Sequence, residues 1–245
     1  MIQDLPIEIF KPSIENKTAI KDMMEAGLFY GHNKTTNHPK ALPYVLVSKH
    51  SFAILDLNKV IESLAKASDF IKSLYAQGEQ ILVVGTLASS KGAVEQFATK
   101  YDMPYVTERW LGGTLTNFKT IKDRINYYLD LEEKFKSGEV AKYTKKEQLK
   151  LEKKLQSLKS KFFGLKNLTK LPAAILIVDP KIHMTALCEA RIMKIPVISI
   201  LDNDDNPELV EYPIVANDSA RSSIEYIFKE LEKGLTGVKA VKSNK

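Results

Sequence analysis

Residues 173–178 read Ala-Ala-Ile-Leu-Ile-Val, and this apolar run decides the fold class of the chain. A short and nearly continuous apolar run is typical of a strand in a parallel sheet that is covered on both faces. Comparable runs predict further strands at 51–55, 80–84, 104–106 and 196–200. Helical patterns lie between these runs, at 56–76, 89–100, 183–193 and 219–233, and a short helix at 18–26 precedes them. Strands that alternate with helices predict an α/β fold, with a parallel sheet as the middle layer of a three-layer sandwich.

The alternation breaks between Pro104 and Ala173, where the sequence predicts two helices instead of a strand and a helix. The first covers residues 116–135, and the second begins at a capping box in which Thr144 is followed by Glu147. Apolar residues of the second helix step 4-3-4-3, at Leu151, Leu155, Leu158, Phe162 and Leu165. This spacing is typical of a coiled-coil seam, and the short break predicts that the two helices pair antiparallel. The predicted fold is a flavodoxin-like or Rossmann-like parallel-sheet sandwich with an inserted antiparallel coiled-coil α-hairpin.

These patterns divide the chain into four parts. We expect an N-terminal arm at 1–17 and an α/β sandwich built from 18–115 and 171–234. The coiled-coil hairpin at 116–170 interrupts the sandwich, and a basic C-terminal tail covers 235–245.

The positive charge of the chain is concentrated in one segment. The formal net charge is +6, and residues 141–170 hold ten lysines against the two acids Glu147 and Glu152. This segment alone carries +8, so the rest of the chain sums to −2. Because so few acids are available for i,i+4 pairs, the lysine repulsion is best offset by a polyanion such as RNA. A merely solvated helix face is the alternative.

Other bulk features exclude several classes of protein. No apolar run is long enough to span a bilayer, so we expect no membrane partner. Cys188 is the single cysteine, which excludes an internal disulfide and a zinc site built on several cysteines. A lone cysteine fits a reducing, cytoplasmic setting.

Residues 109–118 read Arg-Trp-Leu-Gly-Gly-Thr-Leu-Thr-Asn-Phe and carry the most specific local chemistry. Gly112 and Gly113 allow a tight turn, and Thr114, Thr116 and Asn117 are residue types that cap a helix N-terminus. A capped helix start after a glycine turn favours anions, including phosphate. The alternative is a strand-to-helix turn with a buried Trp110 and no ligand.

The same run resembles a signature of the bacterial small-subunit ribosomal protein two family. Further segments are similar to that family in the same order, over about residues 18 to 228: Gly31-His32, Pro39-Lys40, Pro43-Tyr44, 54–57, 83–86, Leu171-Pro172, Val178-Asp179, 189–191, 195–197, Asp202-Asn203, 212–214 and Asn217-Asp218. The chain departs from the family pattern at Thr35, Thr36, Asn37, Leu87 and Ala88.

The resemblance implies a structural component of the small ribosomal subunit, located in the cytoplasm, without catalysis or cofactor. It implies binding of small-subunit ribosomal RNA, contacts with neighbouring ribosomal proteins, and help in docking ribosomal protein one. It also implies the inserted hairpin. We expect Trp110 to pack rather than to stack on RNA. The expected RNA-binding residues are Lys34, His38, Lys40, Arg109, Asn117, Lys119, Lys122 and Arg124.

Two other functions stay open on the residues alone. A doubly wound sheet also suits a nucleotide- or sugar-phosphate-binding enzyme, and Asp202, Asp204 and Asp205 follow a strand where such enzymes bind ligands. However, the segment after Thr86 lacks a phosphate-loop lysine, so we expect no tight binding of nucleotide or magnesium. His32 and His38 with Asp202 or Asp205 form only a weak metal pattern, and we predict no metal site. A protein-interaction scaffold that uses the hairpin is the third function.

Overall fold

A computed structural model describes residues 7–11, 16–49 and 51–238 of the chain. In this part of the chain the strands are β1 (Tyr30–Asn33), β2 (Val45–Lys49), β3 (Phe52–Leu55), β4 (Ile81–Val84), β5 (Tyr105–Val106), β6 (Ala174–Val178), β7 (Val197–Leu201) and β8 (Tyr212–Val215). The α-helices are α1 (Lys17–Ala26), α2 (Leu57–Ala76), α3 (Ala88–Lys100), α4 (Phe118–Lys136), α5 (Lys145–Phe162), α6 (Met184–Ile192) and α7 (Arg221–Leu235).

Five strands form one parallel sheet in the order β5-β4-β6-β7-β8. Successive residues of its strands point to opposite faces, so the sheet separates two apolar cores. Leu176 and Ile198 belong to a core with α1, α2, α3 and α7. Ile175 and Ile177 belong to a second core with α6 and the base of the α4–α5 pair. The predicted α/β three-layer sandwich is therefore confirmed.

The structure corrects one predicted strand and adds three. The run at 51–55 was expected in the parallel sheet, but β3 lies in a separate antiparallel sheet of order β1-β3-β2. An apolar run alone does not distinguish the two sheets, because β3 is also buried over three of its four residues. The strands β1, β2 and β8 were not predicted. Of these, β2 is mostly exposed and β8 contains Pro213, so neither has the pattern of a buried strand.

The small antiparallel sheet is joined to the large sheet by Asn203, whose side chain is fully buried. Its Oδ1 accepts a hydrogen bond from the His32 amide at 2.5 Å, and its amide group donates to Asn37 Oδ1. The Asn203 carbonyl accepts from the His38 amide. A Cβ on Gly31 would lie 2.4 Å from Asn203 Oδ1 and 3.2 Å from the Ala53 carbonyl oxygen, so this approach requires glycine.

The helices α4 and α5 follow one another in the predicted gap and pack against each other. The capping box of Thr144 and Glu147 is present, and α5 begins at the next residue, Lys145. Leu155 and Leu158 are half-buried against the second core rather than fully enclosed. The coiled-coil geometry of this pair stays a prediction.

Parts of the predicted arm and tail, at 1–6, 12–15 and 239–245, lie outside the described residues, as does His50. No helix of the described part combines the length and apolar character needed to cross a membrane.

Candidate nucleic-acid interface

The run that follows β5 folds into a turn around the carboxylate of Glu189, which projects from α6. Glu189 Oε1 accepts hydrogen bonds from Trp110 Nε1 at 3.0 Å and from the Gly113 amide at 2.8 Å. Oε2 accepts from the amides of Leu115 at 2.9 Å and Thr116 at 3.2 Å, and from the Thr116 hydroxyl at 3.2 Å. Gly113 has φ +89°, a conformation that favours glycine. The turn thus presents five donors to one buried anion.

This arrangement changes the prediction for the helix start. Asn117 occupies the N-cap position of α4, but its side chain makes no capping hydrogen bond and instead accepts from Thr120. The amides of Leu115 and Thr116, just before the helix, bind Glu189 instead. The anion at this helix start is therefore the carboxylate of Glu189.

The environment of Glu189 keeps its side chain ionised. Burial by itself raises the pKa of this carboxyl, but the hydrogen bonds from Trp110, Leu115, Gly113 and Thr116 lower it further than burial raises it. The net pKa lies below its usual value. The sequence signal for this role was a glutamate among the apolar positions of α6, where Ala186, Leu187 and Ala190 are all buried.

Five of the eight predicted RNA-binding residues lie at the start of α4 or just before it. Arg109, Lys119 and Arg124 are exposed and form no ion pair in the described part of the chain. Lys122 donates to the Thr169 carbonyl at 3.0 Å, and Asn117 is exposed beside the glycine turn. Lys119 and Lys122 share one helix face, whereas Arg124 lies about 140° from Lys119 around the axis.

The other three residues lie on the segment between β1 and β2. Lys34 is exposed, and His38 is half-buried with its Nδ1 accepting from the Lys40 amide at 3.2 Å. Lys40 forms an ion pair, with its Nζ 2.8 Å from Glu208 Oε1. This ion pair is exposed and therefore weak.

A larger basic surface lies on α5, which the predicted RNA-binding residues did not include. None of its seven lysines forms an ion pair with any other described residue. Lys146, Lys150 and Lys153 are spaced four and three residues apart, so they line one exposed face. The Glu147 carboxylate is held by Thr144 in the capping box, which lowers its pKa, so it is directed away from these lysines. We call the exposed face of α5, from Lys145 to Lys161, the lysine face.

The opposite electrostatic character is found at the carboxyl edge of the parallel sheet. Asp179, Asp202, Asp205 and Asp218 are drawn together there, with His32 at their margin. The possible ligand atoms of His32, Asp202 and Asp218 lie within 4.8 Å of one another, and so do those of Asp179, Asp205 and Asp218. The structure thus brings His32, but not His38, to the aspartates, and either group has the donor types that could hold a cation.

These carboxyl groups are strongly perturbed by burial. Burial raises the pKa of Asp202 and of Asp205 to about 7, and burial together with the charge of Asp202 raises that of Asp218 to about 9. Asp205 Oδ2 is buried and has no hydrogen-bond partner among the described residues. Protons therefore neutralise part of this cluster at neutral pH.

The place where a nucleotide enzyme of this fold would bind phosphate is occupied by protein. Strand order reverses between β4 and β6, which is the usual position of a ligand crevice. The buried His183 lies there, with its Nε2 3.0 Å from Thr86 Oγ1 and 3.3 Å from the Thr86 amide. The nearby aspartates also supply no positive charge that could bind phosphate.

Four exposed apolar side chains lie on or beside the β2–β3 hairpin, and we call this group the apolar patch. Leu42 is 52% exposed and Phe52 47% exposed, and Leu46 and Val47 lie on the exposed strand β2 between them. Large apolar side chains grouped on a surface are typical of a site that contacts another protein.

The family profile and the individual relatives that match this chain all point to the same protein family. The profile of the family described as Ribosomal protein S2 matches residues 23–237. The small ribosomal subunit protein uS2 of Thermus thermophilus is 40% identical over 223 residues, which cover 91% of this chain and 84% of that protein. The uS2 protein of Mesoplasma florum is 40% identical over 210 residues, covering 86% and 79%. That of a Roseiflexus species is 39% identical over 209 residues, covering 85% and 80%.

Proposed function

Because this chain belongs to the ribosomal protein S2 family, we propose that it is a structural protein of the small ribosomal subunit and binds small-subunit ribosomal RNA. Its place of action is then the ribosome in the cytoplasm. A ribosomal protein of this family is a structural component, so the chain is not an enzyme.

The observation that carries RNA binding is the lysine face. Like charges at i,i+4 destabilise a helix by about 0.2–0.5 kcal/mol per pair, and Lys146 and Lys150 form such a pair. No acid of the described chain forms an ion pair with them, so phosphate groups are the natural counter-charge. The predicted residues Arg109, Asn117, Lys119, Lys122 and Arg124 extend this surface along α4, and Lys34, His38 and Lys40 supply a second contact.

The test is a salt series for binding of transcribed small-subunit ribosomal RNA. Each phosphate contact contributes roughly −0.7 to −0.9 to the slope of log K against log salt. We expect the double substitution Lys150→Ala and Lys153→Ala to weaken binding and to flatten the slope by about 2. Lys100→Ala is the control, because this lysine is paired with Glu232 at 2.7 Å on the opposite side of the sheet. Equal effects of the double variant and the control would contradict the proposal.

Lys119 and Arg124 lie on different sides of α4. Substituting each of them therefore tests which side of the helix contacts RNA. We expect Lys119→Ala to flatten the salt slope more than Arg124→Ala, because Lys119 lies nearer the glycine turn and shares its face with Lys122. If neither substitution changes affinity or slope, α4 is not an RNA-binding helix.

We further propose that the chain helps to dock ribosomal protein one where that protein is present. The apolar patch around the β2–β3 hairpin supports this, since its side chains are exposed in the free chain. Leu46→Glu should lower the affinity for purified ribosomal protein one at least tenfold, because it places a charge in an apolar contact. Ile192→Glu, which alters an exposed apolar residue on α6, is the matched control. Unchanged affinity of Leu46→Glu would exclude the patch.

The division into an N-terminal arm at 1–17, a sandwich at 18–115 and 171–234, a coiled-coil hairpin at 116–170 and a basic tail at 235–245 is part of this proposal. In it the sandwich is the rigid platform and the hairpin carries the main RNA surface.

A further inference from the structure

The turn in front of α4 has the chemistry of an anion receptor, and the protein fills it itself. Three backbone amides, one indole N–H and one hydroxyl converge on the Glu189 carboxylate, which is only 6% exposed. Charge-assisted hydrogen bonds of this kind are stronger than neutral ones. All five donors of the turn thus bind one side chain of a different element, which lies 73 residues further along the chain than Thr116.

We infer that Glu189 is the positioning residue of the RNA interface: its carboxylate fixes the turn at 110–116 and so sets where Arg109, Asn117 and Lys119 meet RNA. The inference rests on the proposed RNA binding. It goes beyond that proposal because Glu189 itself touches no RNA.

Glu189 connects a packed helix, α6, to the loop at the surface that its carboxylate binds. The helix α6 that carries it is held in the second core by Ala186, Leu187 and Ala190, all buried. The loop that it binds has internal hydrogen bonds, from the Thr114 hydroxyl to the Leu111 carbonyl and from the Asn117 amide to the Gly113 carbonyl. Among the described residues, Glu189 is the side chain that ties this loop to another element by hydrogen bonds. A group on a packed helix thus fixes the geometry of exposed residues on a loop, as in many binding sites.

The same carboxylate keeps RNA phosphate out of the turn. Two anions cannot share five donors at these distances without strong repulsion. Phosphate contacts then fall on the exposed side chains that flank the turn, Arg109 before it and Asn117 and Lys119 after it.

Chemical rescue tests the receptor part of the inference. Glu189→Ala leaves space for a small carboxylate, so acetate should raise its unfolding temperature towards that of the wild type. Chloride at equal ionic strength should not. Leu187→Ala, a buried change on the same helix, is the control and should gain nothing specific from acetate. Equal responses of both variants to acetate would overturn the inference.

RNA binding by the same variants tests the positioning part. Glu189→Ala should weaken binding of small-subunit ribosomal RNA and flatten the salt slope by about 1, because one flanking phosphate contact is misplaced. Acetate at constant ionic strength should restore both quantities. Glu189→Gln, which keeps the shape but not the charge, should show the same direction of change. Tighter binding with a steeper slope would mean that phosphate enters the vacated turn, and would overturn the inference.

Non-additivity separates positioning from a general loss of stability. If Glu189 acts through Arg109, adding Arg109→Ala to Glu189→Ala should cost less affinity than Arg109→Ala costs alone. Full additivity would contradict this coupling. If the wild-type chain binds no ribosomal RNA, the proposed function fails and the positioning role fails with it, while the acetate experiment still decides whether Glu189 occupies an anion receptor.

Discussion

At the scale of single residues, the aspartates at the carboxyl edge of the sheet make stability depend on pH. Asp218 has a folded-state pKa raised to about 9, from the ordinary value of 3.8, mainly by burial. A raised pKa adds stability that is complete below the ordinary value and is lost as pH rises through the folded value. We therefore expect the free energy of unfolding to fall between pH 4 and about 9.

Asp218→Asn should remove the part of this loss that Asp218 contributes, because the amide is neutral and can still accept the hydrogen bond from the Ser219 hydroxyl. The variant should be more stable than wild type at pH 8 by at least about 1.4 kcal/mol, which is the equivalent of one pKa unit. Urea unfolding from pH 5 to 9 with a chelator present measures it. Asp123→Asn, at an exposed position of α4, is the control. A variant that parallels wild type at every pH would contradict the prediction.

Hydrogen bonds between side chains could be predicted from the sequence only where the two residues are close in the chain. Thr144 and Glu147 are three residues apart, so their capping box was predicted and is confirmed. Trp110 and Glu189 are 79 residues apart, and nothing in either segment indicates that they meet. The anion preference of the glycine turn could be predicted from its local chemistry, but the occupant depends on how α6 packs.

At the scale of elements, the starts of α2 and α4 give a matched pair of helix caps. Asp56 Oδ1 accepts from the Asn58 amide at 3.1 Å, whereas the side chain of Asn117 makes no such bond. Asp56→Ala should therefore cost about 0.5–2 kcal/mol of unfolding free energy. Asn117→Ala should cost clearly less, and thermal or urea unfolding of both variants measures the difference. Equal losses would mean that the two helix starts are not distinguished by capping.

The seam between α4 and α5 gives a second prediction about elements. A fully buried Leu→Ala change costs about 2–5 kcal/mol, but Leu155 is half-buried, so Leu155→Ala should cost about 1–2 kcal/mol. Leu149→Ala on the same helix is the control, because Leu149 is 53% exposed and should cost close to nothing. Urea unfolding compares them. A similar loss at both positions would show that the 4-3 spacing does not define the buried side of α5.

Helices and strands with a strong pattern of apolar residues were predicted well from the sequence, and those with a weak pattern were not. The predicted helix at 56–76 compares with the observed Leu57–Ala76, and the predicted strand at 173–178 with Ala174–Val178. These elements have continuous or periodic apolar positions that local physics determines. The strands β1 and β2 depend on pairing with β3, so tertiary contacts rather than local patterns form them.

At the scale of the whole molecule, the lysines of α5 and the aspartates at the carboxyl edge of the sheet lie in different places, and only the lysines suit RNA. The lysines of the lysine face form no ion pair with any described residue, while the ligand crevice expected of a doubly wound sheet is filled by His183 and bordered by four aspartates. The sequence predicted the first feature from composition. It could not predict the second, because the aspartates come from three separate segments that only the fold brings together.

This segregation predicts that the free chain binds RNA but not mononucleotides. Calorimetry with ATP, with and without magnesium, should detect no binding at micromolar concentrations, because His183 closes the crevice and the aspartates beside it supply no positive charge for phosphate. The same preparation should bind small-subunit ribosomal RNA, which shows that the protein is active. Micromolar ATP binding that Asp202→Asn abolishes would contradict the prediction, since it would place a phosphate–metal site at the aspartates. ATP binding that is lost in the Lys150→Ala and Lys153→Ala variant would instead show that any polyphosphate is held by the lysine face.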